Sequence, residues 1–184
     1  MRTSGVLMPI SSLPSPYGIG TMGKSARKFV DFLDKSGQTY WQILPICPTS
    51  YGDSPYQSFS TFAGNPYFIS LDELIEEGVL THAECEKVNW GKAKGSIDYE
   101  KIYNGRYPLL RKAYERSKIS ENPEYQKFVN ENSWWLSDYA LFMAVKGRFD
   151  NVEWTKWAED IRLRWKWAMD YYREELYYLS LIHI

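Results

Sequence analysis

This sequence predicts an α/β fold that opens with a βαβ unit and continues into a long helical region, on three observations. Residues 5–10, Gly-Val-Leu-Met-Pro-Ile, form a short continuous apolar run of the kind shown by a strand buried on both faces. Residues 24–36 carry Ala26, Phe29, Val30 and Leu33 at i, i+3, i+4 and i+7 and stop at Gly37, the pattern of an amphipathic helix closed by glycine. Residues 40–46, Tyr-Trp-Gln-Ile-Leu-Pro-Ile, are a second apolar run. Two such runs joined by a helix are expected to lie parallel with a right-handed crossover. Ligands in parallel α/β folds sit in the loops leaving the carboxyl ends of the strands, which puts residues 11–23 and 47–67 on the functional face.

From Ser70 onward the pattern turns helical. Ser70-x-x-Glu73 and Thr81-x-x-Glu84 read as capping boxes opening short helices, the first closed by Gly78. Residues 98–118 are helical in pattern with a kink expected at Pro108, and Asn122-Pro123 starts another helix with proline at its first position. Residues 133–149 follow, with Trp135, Tyr139, Phe142 and Met143 on one face; residues 154–178 are mostly helical as well. Trp134, Trp135, Trp154, Trp157, Trp165 and Trp167 fall in these helical patterns, where core packing is the expected role. Two parallel strands leave open edges and too small a sheet to bury both faces, so they call for companions the chain does not contain. The apolar stretch 176–184 lacks a helix-stop signal, and the chain is expected to be the front of something longer.

Composition narrows the function classes. The 184 residues carry 22 Lys+Arg against 23 Asp+Glu with a pI near 6.2 and no long basic block, so nucleic acid and anionic membrane have no electrostatic support as partners. A small neutral ligand fits better. Cys47 and Cys85 are far apart and form no metal-binding pair; both read as reduced thiols. With no signal-like or membrane-length apolar segment, the expected location is the cytoplasm. Aromatic content is high, with 8 Trp, 15 Tyr and 8 Phe.

The chemistry concentrates in residues 48–67, a long segment after the second apolar run, rich in hydroxyls, with rings every few residues and Gly and Pro fixing the backbone. A loop of that length in a compact domain is usually functional, and its composition argues for order. Tyr51, Tyr56 and Tyr67 offer flat apolar faces with hydrogen-bonding tips, as a pyranose requires; plugging the end of a barrel explains the same rings equally well.

Ser4-Gly5-Val6-Leu7-Met8-Pro9-Ile10-Ser11-Ser12-Leu13-Pro14-Ser15-Pro16-Tyr17-Gly18-Ile19-Gly20, then Tyr40-Trp41-Gln42-Ile43-Leu44-Pro45, then Tyr51-Gly52-Asp53-Ser54-Pro55-Tyr56-Gln57-Ser58 and Gly64-Asn65-Pro66-Tyr67 closely resemble the opening of the 4-alpha-glucanotransferases, also called amylomaltases or disproportionating enzymes. Weaker similarity runs on through Asp98-Tyr99, residues 107–110, residues 135–142 and residues 162–164, while residues 180–184 do not resemble the family, as if the reading frame were truncated or misassembled there. The resemblance implies the N-terminal part of a (β/α)8 TIM barrel of the alpha-amylase clan with a large helical insertion subdomain. It divides the chain into residues 1–70 with two barrel strands and a glucan-binding loop, a helical subdomain over 71–179, and the unlike tail 180–184. It implies retaining transfer of α-1,4-glucan segments, in which one aspartate attacks the anomeric carbon, a glutamate protonates the leaving oxygen and a second aspartate stabilises the distorted sugar. Such chemistry needs two carboxyl groups ~5–5.5 Å apart. In the family these carboxylates lie on later strands, so no catalytic residue, metal or cofactor is expected here, and the missing C-terminal barrel portion is an implied partner.

What carries over residue by residue is binding of maltooligosaccharides. Tyr56 matches the tyrosine stacking at the cleavage point and Ser54 a polar neighbour; Tyr51 matches a tyrosine of a second, remote groove, with Tyr99 as its partner. Gln57, Asn65 and Trp41 sit in matching motifs without an assigned contact, and Asn65-Pro66 reads as a turn. Asp53 is expected to bond backbone amides in its own turn rather than to catalyse. His82 and His183 are isolated, and Gly18-x-Gly20-x-x-Gly23 departs from a dinucleotide fingerprint by its distance from the strand and its prolines. The rival class is a non-catalytic glucan-binding module, complete in itself.

Overall fold

The structure is a computed structural model and describes residues 2–50, 52–91, 95–177 and 180. The chain forms two compact units, Met1–Ser117 and Lys118–Ile184. The division falls at the end of a long helix, whereas the sequence reading parts the barrel strands from the helices at 70/71; helices following Ser70 pack with the first seventy residues in one unit.

In the first unit, β1 (Gly5–Leu7) and β2 (Tyr40–Gln42) pair in parallel, with Gly5 opposite Tyr40 and Leu7 opposite Gln42. The connecting helix α1 (Lys24–Lys35) closes at Gly37, whose φ of +67° is the left-handed geometry glycine supplies. Trp41 joins sheet to helix: its indole N–H donates to the Met8 carbonyl at 2.8 Å, and its ring meets Phe29 edge-on at 5.0 Å. The expectation of strands buried on both faces fails. Leu7 is 56% and Tyr40 60% exposed, and Val30 and Phe32 of α1 are exposed too, because two strands cannot cover one another's faces.

Helices α2 (Leu71–Glu76), α3 (His82–Glu86) and α4 (Tyr99–Arg116) complete this unit. Thr81 and Glu84 form the full reciprocal capping box, but Ser70 forms half of one: its hydroxyl accepts from the Glu73 N–H while the Glu73 carboxylate pairs with Arg27 of α1. Helix α4 runs as one element through Pro108. Its buried face, Ile102, Leu109 and Ala113, packs into two clusters with Tyr17, Leu71 and Cys85 on one side and Ile19 and Tyr67 on the other. Arg106 is buried on the same helix. Its guanidinium donates to the Ile69 carbonyl, Nε and Nη1 have no partner among the described residues, and burial lowers its pKa to about 10.

The second unit contains α5 (Pro123–Glu131), α6 (Ser133–Arg148), α7 (Glu159–Arg162) and α8 (Lys166–Glu175). Asn122 caps α5 as the Asn-Pro start requires, its side chain accepting from the Glu124 N–H at 2.8 Å. Leu141, Ala144 and Val145 of α6 pack on Ile161, Ala168 and Met169 around the buried Trp157. The expected core role of the tryptophans is corrected for four of them: Trp134, Trp154, Trp165 and Trp167 are exposed, Trp134 to 68%. The stretch 154–178 was read as mostly helical; within it the described residues form a 3-10 turn (Trp154–Lys156), α7 and α8, with Arg164 at a φ of +57° between the two helices. Trp165 and Trp167 consequently flank the start of α8, outside its packed side.

Two outcomes test these contacts. In urea unfolding, Leu141→Ala should cost about 2–5 kcal/mol, the range for a truncated core leucine, and Trp167→Ala about 1 kcal/mol or less. Glu84 receives both Arg116 Nη groups at 2.8 Å as well as the Thr81 cap, and Arg116 above all holds its carboxyl down at about 2 against an ordinary 4.5. That stabilisation is complete above pH 4.5 and disappears as pH falls toward 2, so Glu84→Gln should lower the melting temperature at pH 7 with the gap closing in acid.

Candidate functional site

The segment after β2 is held at both ends. Asn65 donates its backbone N–H to the Ile46 carbonyl at 2.8 Å, and its side-chain oxygen accepts from the Tyr67 N–H at 2.9 Å, capping the 3-10 turn Pro66–Phe68. The turn reading of Asn65-Pro66 is therefore right. Within the loop, the Ser50 N–H donates to the Gln57 carbonyl at 3.0 Å, the Asp53 N–H to the Ser50 carbonyl and the Gln57 N–H to the Ser54 carbonyl, so Ser50 and residues 52–57 fold back as a small closed lobe. Ser60 accepts from the Phe62 and Ala63 amides, replacing tertiary contacts with local ones further along. The prolines, glycines and hydroxyls of the sequence thus do what their chemistry suggests.

Tyr56 lies on that lobe and is 73% exposed; its backbone N–H donates to the Ser54 Oγ at 3.3 Å, so Ser54 shapes the backbone beneath the ring. Tyr51 lies outside the described residues. Tyr99, at the first position of α4, is half-buried with its ring 6.2 Å from Tyr67, and burial, with a smaller contribution from Asp53, raises its hydroxyl pKa. A cavity of about 120 Å³ opens beyond the carboxyl ends of β1 and β2, its lining including the polar Ser11, Thr49, Asp53, Asn65 and Tyr99 and the apolar Ile10 and Ile19. The structure brings Tyr99 and Asp53 to one cavity. For Tyr67, where an offered face and a packing role were equally open, the structure shows packing: it is buried among Tyr99, Tyr103 and Tyr107, where burial raises its hydroxyl pKa strongly.

One expectation is corrected at this site, and Trp41 is given its contacts. Asp53 does not bond backbone amides in its own turn: its carboxylate has no hydrogen-bond partner among the described residues, lines the cavity, and is pushed up in pKa by burial. Its backbone sits at a φ of +55°, a left-handed conformation that aspartate tolerates better than most residues. Trp41, carried without a contact, braces the sheet rather than facing the cavity. The glycines of the dinucleotide-like string serve internal packing, since a Cβ on Gly20 would fall 2.0 Å from the Ile10 carbonyl and one on Gly23 2.5 Å from Ser70 Oγ.

The raised Asp53 pKa has a stability consequence. The folded carboxyl holds its proton to a higher pH than the unfolded one at 3.8, so the fold is unburdened below that value and loses stability as pH rises through the folded value. Asp53→Asn should melt with the parent near pH 3 and above it at pH 7.

With the geometry described, comparison with known proteins is informative. The profile of glycoside hydrolase family 77, described as 4-alpha-glucanotransferase, matches residues 8–183. A 4-alpha-glucanotransferase of Streptococcus pneumoniae is 52% identical over 177 residues, covering 95% of this chain and 35% of that protein. A Clostridium butyricum protein of the same name is 51% identical over 169 residues, covering 92% of this chain and again 35% of the relative. An amylomaltase from Streptococcus agalactiae, solved in complex with acarbose, superposes with a TM-score of 0.89 at 38% identity over 100% of this chain and 38% of its own. The chain thus spans about a third of the length of the relatives it matches. Shared sequence along nearly its whole length and a shared course of the backbone lead to one conclusion: this chain belongs to the 4-alpha-glucanotransferase family.

Proposed function

We propose that this chain is the glucan-gripping front of a 4-alpha-glucanotransferase, which moves α-1,4-glucan segments between chains by a retaining double displacement. The observation that carries the reading is the exposed Tyr56 on a closed lobe at the carboxyl ends of the strands, within a chain that follows an acarbose-bound amylomaltase end to end. In this reading β1, α1 and β2 are the first elements of a (β/α)8 barrel, Tyr56 stacks under the sugar at the cleavage point, and Ser54 keeps the Tyr56 backbone in place for it. Tyr51 and Tyr99 belong to the remaining glucan contacts, Tyr99 from the wall of the cavity.

The chemical step needs a nucleophilic aspartate and a protonated carboxylic acid on opposite sides of the scissile bond, with the 4-hydroxyl of a second glucan reaching the covalent intermediate ahead of water. Those carboxylates belong to later strands of the family's barrel. Stacking supports this division of labour: an aromatic face holds the C–H side of a pyranose through apolar contact and leaves its hydroxyls to polar neighbours.

Maltotriose incubated with this chain alone should release no glucose and give no longer glucans, and either product refutes the placing of the chemistry. Calorimetric titration with maltoheptaose should detect binding that Tyr56→Ala weakens by about fivefold or more, the effect of about 1 kcal/mol of stacking. Equal affinity in that variant overturns the reading.

A further inference from the structure

Arg106 is 0% exposed, and its Nε and Nη1 lack hydrogen-bond partners among the described residues. Burial lowers its pKa to about 10, and the groups that oppose the fall are the Cys85 thiol and the Tyr67 hydroxyl rather than a carboxylate. A methionine there would fill the core without stranding two donors, and exchanging buried charges for apolar side chains of similar volume is often neutral or stabilising. Packing therefore does not explain the arginine. What an apolar side chain lacks is the bond that Nη2 donates to the Ile69 carbonyl. Ile69 is the joint between the Pro66–Phe68 turn and α2: its N–H donates back to the Pro66 carbonyl, and Ser70 after it caps α2. The turn has two further backbone ties, from the Met22 N–H to the Phe68 carbonyl at 2.9 Å and from the Asn65 N–H to the Ile46 carbonyl at 2.8 Å. The loop bearing Tyr56 spans the distance between Ile46 and that turn.

We infer that Arg106 is a positioning residue for the ring-bearing loop: by holding the Ile69 carbonyl it sets the Pro66–Phe68 turn and, through the Asn65 clasp, the lobe that presents Tyr56. A carbonyl that loses its donor must find another or turn to water. Ile69 is 43% exposed, so a rotation of its peptide brings the oxygen to solvent and carries the turn and the clasp with it. The protein accepts two stranded donors in its interior in return for a fixed loop, the kind of exchange of stability for function that collects where a site must be held in one geometry. The consequence for ligand binding rests on the glucan reading of Tyr56; the consequence for the loop does not.

Arg106→Met keeps the volume and removes the donors, whereas Arg106→Lys keeps a cation able to donate to the carbonyl. Well below melting, chymotrypsin should cut Arg106→Met after Tyr56 and Phe62 about fivefold faster than the parent, with cutting after Tyr103 on α4 unchanged, because the loop loosens while the helices stay folded. The melting temperature should stay near the parent's, maltoheptaose binding in calorimetric titration should weaken about fivefold, and Arg106→Lys should return both loop cutting and affinity to within about twofold. Unchanged cutting in the loop overturns the inference, as does a rise after Tyr103 that matches the rise in the loop. A melting temperature about 10 °C or more below the parent's in Arg106→Met, or an Arg106→Lys chain as loose as Arg106→Met, makes the arginine an ordinary core residue and also overturns it. Parental affinity in Arg106→Met beside a loss in Tyr56→Ala overturns the link to the ring. A loosened loop with affinity unchanged in both variants instead overturns the glucan reading and leaves the positioning of the loop standing.

Discussion

One hydrogen-bonded residue closes the segment on which the rest of this site depends. Asn65 ties its backbone to Ile46 at the end of the β2 run and its side chain to Tyr67, so everything from Cys47 to Gly64 becomes a loop with fixed ends. A loop's closure entropy grows only slowly with length, so one well-made clasp can hold a long one, provided the interior is organised locally. Here it is, through the backbone bonds among Ser50, Asp53, Ser54 and Gln57 and through the Ser58 and Ser60 turns. The clasp is also part of the cavity wall, so the shape of that wall depends on the closure of the loop that carries Tyr56.

The support behind the clasp comes from α4. Arg106 donates to the Ile69 carbonyl just past the Pro66–Phe68 turn, and Ile102 packs against Tyr67 in the same cluster. Placing an arginine in that interior with two nitrogens unpartnered is costly, as its lowered pKa reflects. Truncating it would leave the Ile69 carbonyl without its donor, so the residue acts on the loop through the backbone rather than on a ligand. The helices after Ser70 are in this respect part of the loop's foundation, which is why the first unit extends to Ser117.

The legible part of the fold was the local part. The strand–helix–strand order, the helix starts at Ser70, Thr81 and Asn122 and the glycine stop at Gly37 follow from propensities and caps a few residues long. The loop's importance was legible too, from its length and its hydroxyl and ring content. What misled was periodicity. Trp134, Trp165 and Trp167 sit in helical sequence, and a helical pattern says which side of a helix a residue is on, yet not whether another element covers that side. The same reasoning placed the apolar runs in a doubly covered sheet, whereas Leu7 and Tyr40 face outward. Asp53 was read from the habit of aspartates in turns; a carboxylate next to glycine in a loop looks the same whether it bonds its own amides or lines a cavity.

By itself the sequence determined the family, the order of elements and the ring-bearing segment after β2, because each of these resides in contiguous residues. Only the tertiary structure decided that Tyr67 is buried while Tyr56 is exposed, and that Tyr99 lines one cavity with Asp53 and Asn65 although it lies far from them in the chain. The physical reason is that exposure and partnership depend on what other segments bring to a place. A residue's type limits the hydrogen bonds and contacts it can make, and packing selects among them.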